Sequence, residues 1–232
     1  MLRTSIILIN LLLLAFQALS APAPQTPSGM KTYQFVFLRT GPNKEVPPAE
    51  AEKMQQAHLD GLVKLNRERI NLLFGPILGQ SDLRGIAVLD VSDAEAARKS
   101  FAGDPYIKGG HLVADVKPWL CETNRFSPPT TPLTPEPLVL GFLMKGPNRQ
   151  QPEDEAAKIQ SGHLAYMEGL GKIGKLLVAG PFAEDSNWRG VVIYRVGTLA
   201  EAKELAAGDP AVKAGRLAID AWPWMTFKGI LK

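Results

Sequence analysis

The feature that most constrains this chain is that it is written twice. His58 returns as His163, Gly75-Pro76 as Gly180-Pro181, Arg84-Gly85 as Arg189-Gly190, Asp104-Pro105 as Asp209-Pro210 and Pro118-Trp119 as Pro223-Trp224. Each pair is separated by the same 105 residues, with no insertion anywhere between. A repeat of this length is one supersecondary module used twice, so a fold assigned to one half must also suit the other.

In the first copy, Tyr33 to Leu38 has the aromatic and β-branched content of a strand, and Gly41-Pro42-Asn43 ends it. Pro47-Pro48 suits the first turn of a helix, where a missing N–H costs little. From Ala49 to about Arg69, Ala51, Met54, His58, Leu62 and Leu65 fall on one helical face; Ala156, Ile159, His163, Tyr166 and Leu170 repeat the stripe. Each histidine therefore sits in an apolar stripe, turned toward the sheet and the space between layers. Leu72 to Ile77 and Ile86 to Val91 read as strands. A second helix, capped by Ser92 or Asp93, runs to Phe101, and its counterpart opens with the capping box Thr198/Glu201. Gly103 and Gly208 are expected to end these helices in the left-handed conformation. Last strands run from His111 to Trp119 and from Arg216 to Trp224.

The order β-α-β-β-α-β, twice, is the ferredoxin-like split βαβ unit: an antiparallel sheet with both helices on one face. Yet Phe35-Val36-Phe37-Leu38, Ile86-Ala87-Val88-Leu89 and Val191-Val192-Ile193-Tyr194 are apolar on both faces, so each sheet needs a second cover. The nearest cover is the other copy. The expected fold is α+β: two tandem ferredoxin-like βαββαβ units packed sheet to sheet as an intramolecular dimeric α/β barrel. Units 31–121 and 138–232 flank a linker, 122–137, whose five prolines predict an extended, exposed spacer.

Residues 1–20 have the pattern of a secretory signal: Arg3, then an apolar run from Ile6 to Phe16 broken only by Asn10, then Ala18-Leu19-Ser20 before a cleavage point at Ala21. The run is shorter than the ~20 residues that span a bilayer. An exported protein, periplasmic or extracellular, free of the membrane after cleavage, is expected, with residues 21–30 as a disordered leader. Cys121 is the single cysteine, so no internal disulfide forms; its counterpart is Thr226, and nothing nearby would activate a thiolate. The net charge of +3 is small, and no basic run alternates with aromatics, so nucleic acid is not an expected partner.

This ordered set of repeated residues resembles the YCII-related family of dimeric α/β-barrel proteins, over Lys31–Cys121 and Glu136–Thr226. Members are mostly single modules that dimerise, so the resemblance implies an internal pseudo-dimer, with further homo-oligomerisation left open. Many have no established reaction. A few relatives act in dehalogenation or related eliminations, and a His/Asp pair is the usual site. Two departures mark this chain. Arg69 stands where the second copy has Gly174, and His111 where it has Arg216.

The candidate catalytic residues are His58 with Asp104 and His163 with Asp209. Imidazole exchanges protons near neutrality, and an aspartate fixes its tautomer if the turn after the second helix folds back over the pocket. The bland alternative is a hydrogen-bonded core histidine beside an ordinary Asp-Pro turn. Arg84 and Arg189, before the third strands, are candidates to bind a substrate carboxylate. Trp119, Trp222 and Trp224 are expected to close the core or the sheet edge rather than stack on a substrate. No HExxH or Cys/His cluster suggests a metal, no phosphate-binding glycine loop a nucleotide, and no GxSxG a serine elbow; no cofactor is expected. The leading reading is a small-molecule enzyme, for which the family resemblance implies a reaction of lyase or isomerase type. Beside it stand a non-catalytic small-ligand-binding module and a structural or assembly protein.

Overall fold

The computed structural model describes residues 28–79 and 81–232; the expected signal segment, and the leader up to residue 27, lie outside them. Each copy folds as the expected βαββαβ unit with one added one-turn helix before its last strand. The first runs β1 (Met30–Thr40), α1 (Pro48–Arg67), β2 (Asn71–Pro76), β3 (Leu83–Leu89), α2 (Ala94–Ser100), α3 (Pro105–Lys108) and β4 (Leu112–Glu122). The second repeats it as β5 (Pro135–Lys145), α4 (Glu153–Lys172), β6 (Leu176–Pro181), β7 (Trp188–Tyr194), α5 (Leu199–Gly208), α6 (Pro210–Lys213) and β8 (Leu217–Phe227). The two sheets have the orders β2-β3-β1-β4 and β6-β7-β5-β8, and every pairing is antiparallel. This is the ferredoxin-like arrangement.

The double-sided apolar strands have the predicted cover. Along β1, Phe35 and Phe37 point at the other copy: both rings pack on Phe142 of β5, with centroids 6.2 and 5.5 Å away, and Phe37 also meets Trp188 at 4.7 Å. Phe35, Phe37 and Phe142 are fully buried, and one apolar cluster runs through both sheets. The alternate residues face the helices, where α1 and α4 bring Leu62, Met167 and Leu170.

The barrel is closed along two seams, β2 against β8 and β4 against β6. The tryptophans fasten them. Trp119 Nε1 donates to the Gly180 carbonyl at 2.8 Å, and Trp224 Nε1 to the Gly75 carbonyl at 3.0 Å. Backbone bonds from Leu78 N to Pro223 O (2.8 Å) and from Ala183 N to Pro118 O (2.9 Å) extend them. The repeated Gly-Pro now has a cause. A Cβ at Gly75 would lie 1.8 Å from the Met225 carbonyl oxygen, and one at Gly180 2.1 Å from that of Leu120, so only a hydrogen fits where the strands cross.

Three expectations need correction. The third strands start earlier than read, so Arg84 and Arg189 lie inside β3 and β7 rather than ahead of them. Gly103 and Gly208 are not left-handed; after the long helices that conformation falls to Arg69 (φ 59°) and Gly174 (φ 70°), and after the one-turn helices to Gly110 and Gly215. Arg69 thus bends the chain as glycine does in the second copy. Finally, the linker is not a free spacer. Its last prolines, Pro135 and Pro137, already belong to β5. Phe126 is buried against Tyr33, and Ser127 N and Thr130 N donate to the carbonyls of Ile230 and Lys228 at 3.0 and 2.9 Å. The Phe126 ring and these backbone bonds together pin the proline-rich stretch.

Candidate active site

His58 and His163 sit on the sheet-facing stripes of α1 and α4. The turns after α2 and α5 fold back toward the histidines, by a device the sequence did not announce: Asp104 and Asp209 are the N-caps of the one-turn helices α3 and α6. Asp104 Oδ1 accepts from the N–H groups of Tyr106 and Ile107, at 3.0 and 3.2 Å, and Asp209 Oδ1 from that of Ala211, at 2.8 Å. The second carboxylate oxygen is left for the imidazole. His58 Nδ1 lies 2.5 Å from Asp104 Oδ2, and His163 Nδ1 2.7 Å from Asp209 Oδ2. An ionised carboxylate only accepts, so Nδ1–H donates and Nε2 is left as the unprotonated nitrogen of the neutral ring. The pairs are shielded: the side chains of His58 and Asp104 are 14% and 6% exposed, those of His163 and Asp209 12% and 0%.

Each histidine opens onto a cavity between its long helix and its own sheet. The imidazoles therefore face the helix–sheet layer, not the seam where the two sheets meet. The first cavity, about 550 Å³, is lined by His58, Lys44, Arg84, Tyr106 and His111 among apolar residues, and Phe227 from the other copy forms part of its wall. The second, about 360 Å³, is lined by His163, Arg149, Arg189 and Arg216, with Met30 reaching across from the first copy. Both lie at or near the usual size for small-molecule sites. Among the described residues no aspartate or glutamate lines either one, so both present net positive charge to a ligand.

The predicted arginines fare differently. Arg84 is exposed at the first cavity. Arg189 lines the second but holds Asp185 Oδ1 at 2.6 Å. Sequence reasoning missed Tyr106, whose ring stands edge-on to His58 with centroids 5.2 Å apart and whose hydroxyl donates to Gln55 Oε1 at 3.1 Å. It noted His111 only as a departure. Here His111 Nδ1 donates to the Asn43 carbonyl at 2.7 Å, directing its other edge to the cavity. The signal was in the mismatches: Tyr106 and His111 stand opposite Ala211 and Arg216 in the second copy. Cys121 is buried, and desolvation pushes its thiol up to about 12, which removes it as a nucleophile.

Sheets, helices and cavities of this kind define a dimeric α/β barrel built from one chain. A heme-binding protein from Thermus thermophilus shares the fold at 13% identity, covering 86% of this chain and 92% of its own, with a TM-score of 0.53. A chlorite dismutase from Candidatus Nitrospira defluvii does so at 10% identity, 87% and 92% coverage, and a TM-score of 0.57. No protein of curated function matches the chain in sequence. Within the barrel class, the YCII-related domain matches twice, over residues 34–120 and 141–224; the chain belongs to the YCII-related family, with two tandem domains.

Proposed function

We propose that the protein is a small-molecule enzyme in which His58/Asp104 and His163/Asp209 act as acid–base pairs on a small organic anion. The observation that carries this reading is the carboxylate-held imidazole, repeated in both copies at the wall of a cationic cavity. Nε2 takes a proton from carbon next to a carbonyl or carboxylate. The imidazolium so formed is stabilised by the aspartate, and Arg84 in the first cavity pairs with the substrate carboxylate. The electron pair from the C–H bond then expels a leaving group as an anion, a lyase step, or the proton returns at another carbon, an isomerase step. A module that holds its ligand by apolar contact alone gives the His–Asp bond no role toward that ligand, and an assembly protein gives none to the cavities.

The test is deuterium incorporation from heavy water into a panel of small carboxylates, read by NMR. The expected result is exchange at the acidic carbon of at least one member, reduced about 100-fold or more in His58→Gln/His163→Gln. Equal exchange by the variant would refute the acid–base role.

A second reading starts from the same pair. A carboxylate on Nδ1 is also the partner that orients an imidazole whose Nε2 binds a metal, and one fold relative is described as heme-binding. Among the described residues no group of three or more His, Cys, Asp or Glu side chains is placed to hold a bare ion, whereas iron carried by a porphyrin needs only one imidazole from the protein. Heme would be held by Nε2 of His58 or His163 and would supply redox chemistry at iron. A histidine-dependent Soret band on adding hemin would favour it. Export, expected from residues 1–20, belongs to the proposal as well; N-terminal sequencing of the mature protein checks it.

A further inference from the structure

The second cavity differs from the first at one corner. Where the first copy has Lys44, Val46 and His111, the second has Arg149, Gln151 and Arg216. These residues form a fixed network. Gln151 Nε2 donates to the carbonyls of Asn148 and Ala214, both at 3.2 Å. That orients its Oε1 toward Arg216, whose Nη1 donates to it at 2.7 Å. Arg149 Nη1 in turn donates to the Arg216 carbonyl at 2.9 Å.

Every acceptor in this network is neutral. Neither guanidinium has a carboxylate within ion-pair distance among the described residues, whereas Arg189, the third arginine of the cavity, is matched by Asp185. Two positive charges are thus held at one wall of a cavity that, among the described residues, no acidic side chain lines. Like charges in a cleft raise each other's energy and focus the field outward. Holding them by neutral hydrogen bonds fixes the planar forks in advance, which lowers the entropy cost of binding a ligand.

We propose that the second cavity is a recognition site for a small dianion, a phosphate monoester or a dicarboxylate, gripped by Arg149 and Arg216. The shared chemistry is two negative charges on oxygens that a guanidinium fork can pair. The first cavity, with a lysine and a histidine at those positions, takes its ligand differently, so the copies have diverged in what they bind. Dianion recognition here does not depend on the acid–base reading, since binding rather than turnover is measured.

The experiment is calorimetric titration of the full chain at low ionic strength, above the second ionisation of phosphate. Inorganic phosphate and succinate are the two dianion arms, and acetate is the monoanion control. At least one dianion binds, more tightly than acetate, and the stronger arm identifies the class. Arg149→Lys/Arg216→His, which installs the first copy's residues, weakens binding at least about tenfold. Gln151→Val weakens it in the same direction by freeing Arg216, and serves if the double variant does not fold. Lys158→Gln, on the exposed face of α4 and outside both cavities, leaves the affinity unchanged. Three results would each overturn the proposal: no heat with either dianion, equal affinity in the Arg149/Arg216 variant, or an equal loss of binding in the Lys158 variant.

Discussion

Asp104 and Asp209 each do two jobs, and that explains why the sequence left them ambiguous. Asp-Pro after a helix reads equally as a turn or as a site. Both readings describe the same carboxylate, one oxygen capping a helical turn and the other holding an imidazole. His58 and His163 were legible from the stripe and the repeat. Tyr106, Gln55 and the Arg149–Gln151–Arg216 network were not, because nothing local shows that residues so far apart in the chain meet. Cys121 gives a prediction at this scale. Burial raises its thiol from 9.0 to about 12. A group whose folded-state value is raised contributes fully below its ordinary value and loses that contribution as pH climbs toward the folded one. Stability should therefore fall from pH 9.0 toward about 12, with Tyr33, raised to about 12 by burial, adding to the loss. Cys121→Thr, which copies Thr226, removes part of that fall in alkaline denaturation curves. At neutral pH the native thiol stays unreactive to a chromogenic disulfide and reacts fully once the chain is unfolded.

At the scale of elements, order and type could be read from periodicity, and the repeat confirmed each element independently. The one-turn helices α3 and α6 could not, because four residues carry no helical period. Missing them is what misplaced the left-handed glycines: the chain at Gly103 and Gly208 does not turn away but starts another helical turn. Arg69 shows the opposite failure. It adopts a conformation costing about 1 kcal/mol or more for a residue with a Cβ, and its guanidinium donates to the Phe126 carbonyl at 3.2 Å, tying the linker down. The Gly-Pro signal was seen but its meaning was not, since the crowding comes from the other copy. Gly75→Ala and Gly180→Ala should each destabilise by about 2–4 kcal/mol, the Cβ meeting backbone oxygen in both. Gly61→Ala in α1, with nothing within 4 Å, should instead stabilise by up to about 1 kcal/mol. Thermal unfolding of the three variants measures the contrast.

At the scale of the molecule, the copies act as the two halves of a dimer would, joined by a linker that packs on the C-terminal residues. Each cavity borrows a wall residue from the other half, Phe227 for the first and Met30 for the second. The geometry of either site is thus bound to closure of the whole barrel. Sheet-to-sheet packing was legible because strands apolar on both faces demand a second cover, and the repeat supplied one. Placement of the cavities in the helix–sheet layers was not, because the same stripe that packs a helix also lines its pocket. Mutual shielding of the two sheets is tested most directly by amide hydrogen exchange, followed by mass spectrometry, in Phe142→Ala. Phe142 belongs to the second copy and packs on Phe35 and Phe37 of the first, and truncating a buried phenylalanine costs about 3–5 kcal/mol. The expected result is faster exchange in β1 and β3 as well as in β5 and β7. Faster exchange confined to β5 and β7, with the first sheet as protected as before, would contradict the barrel.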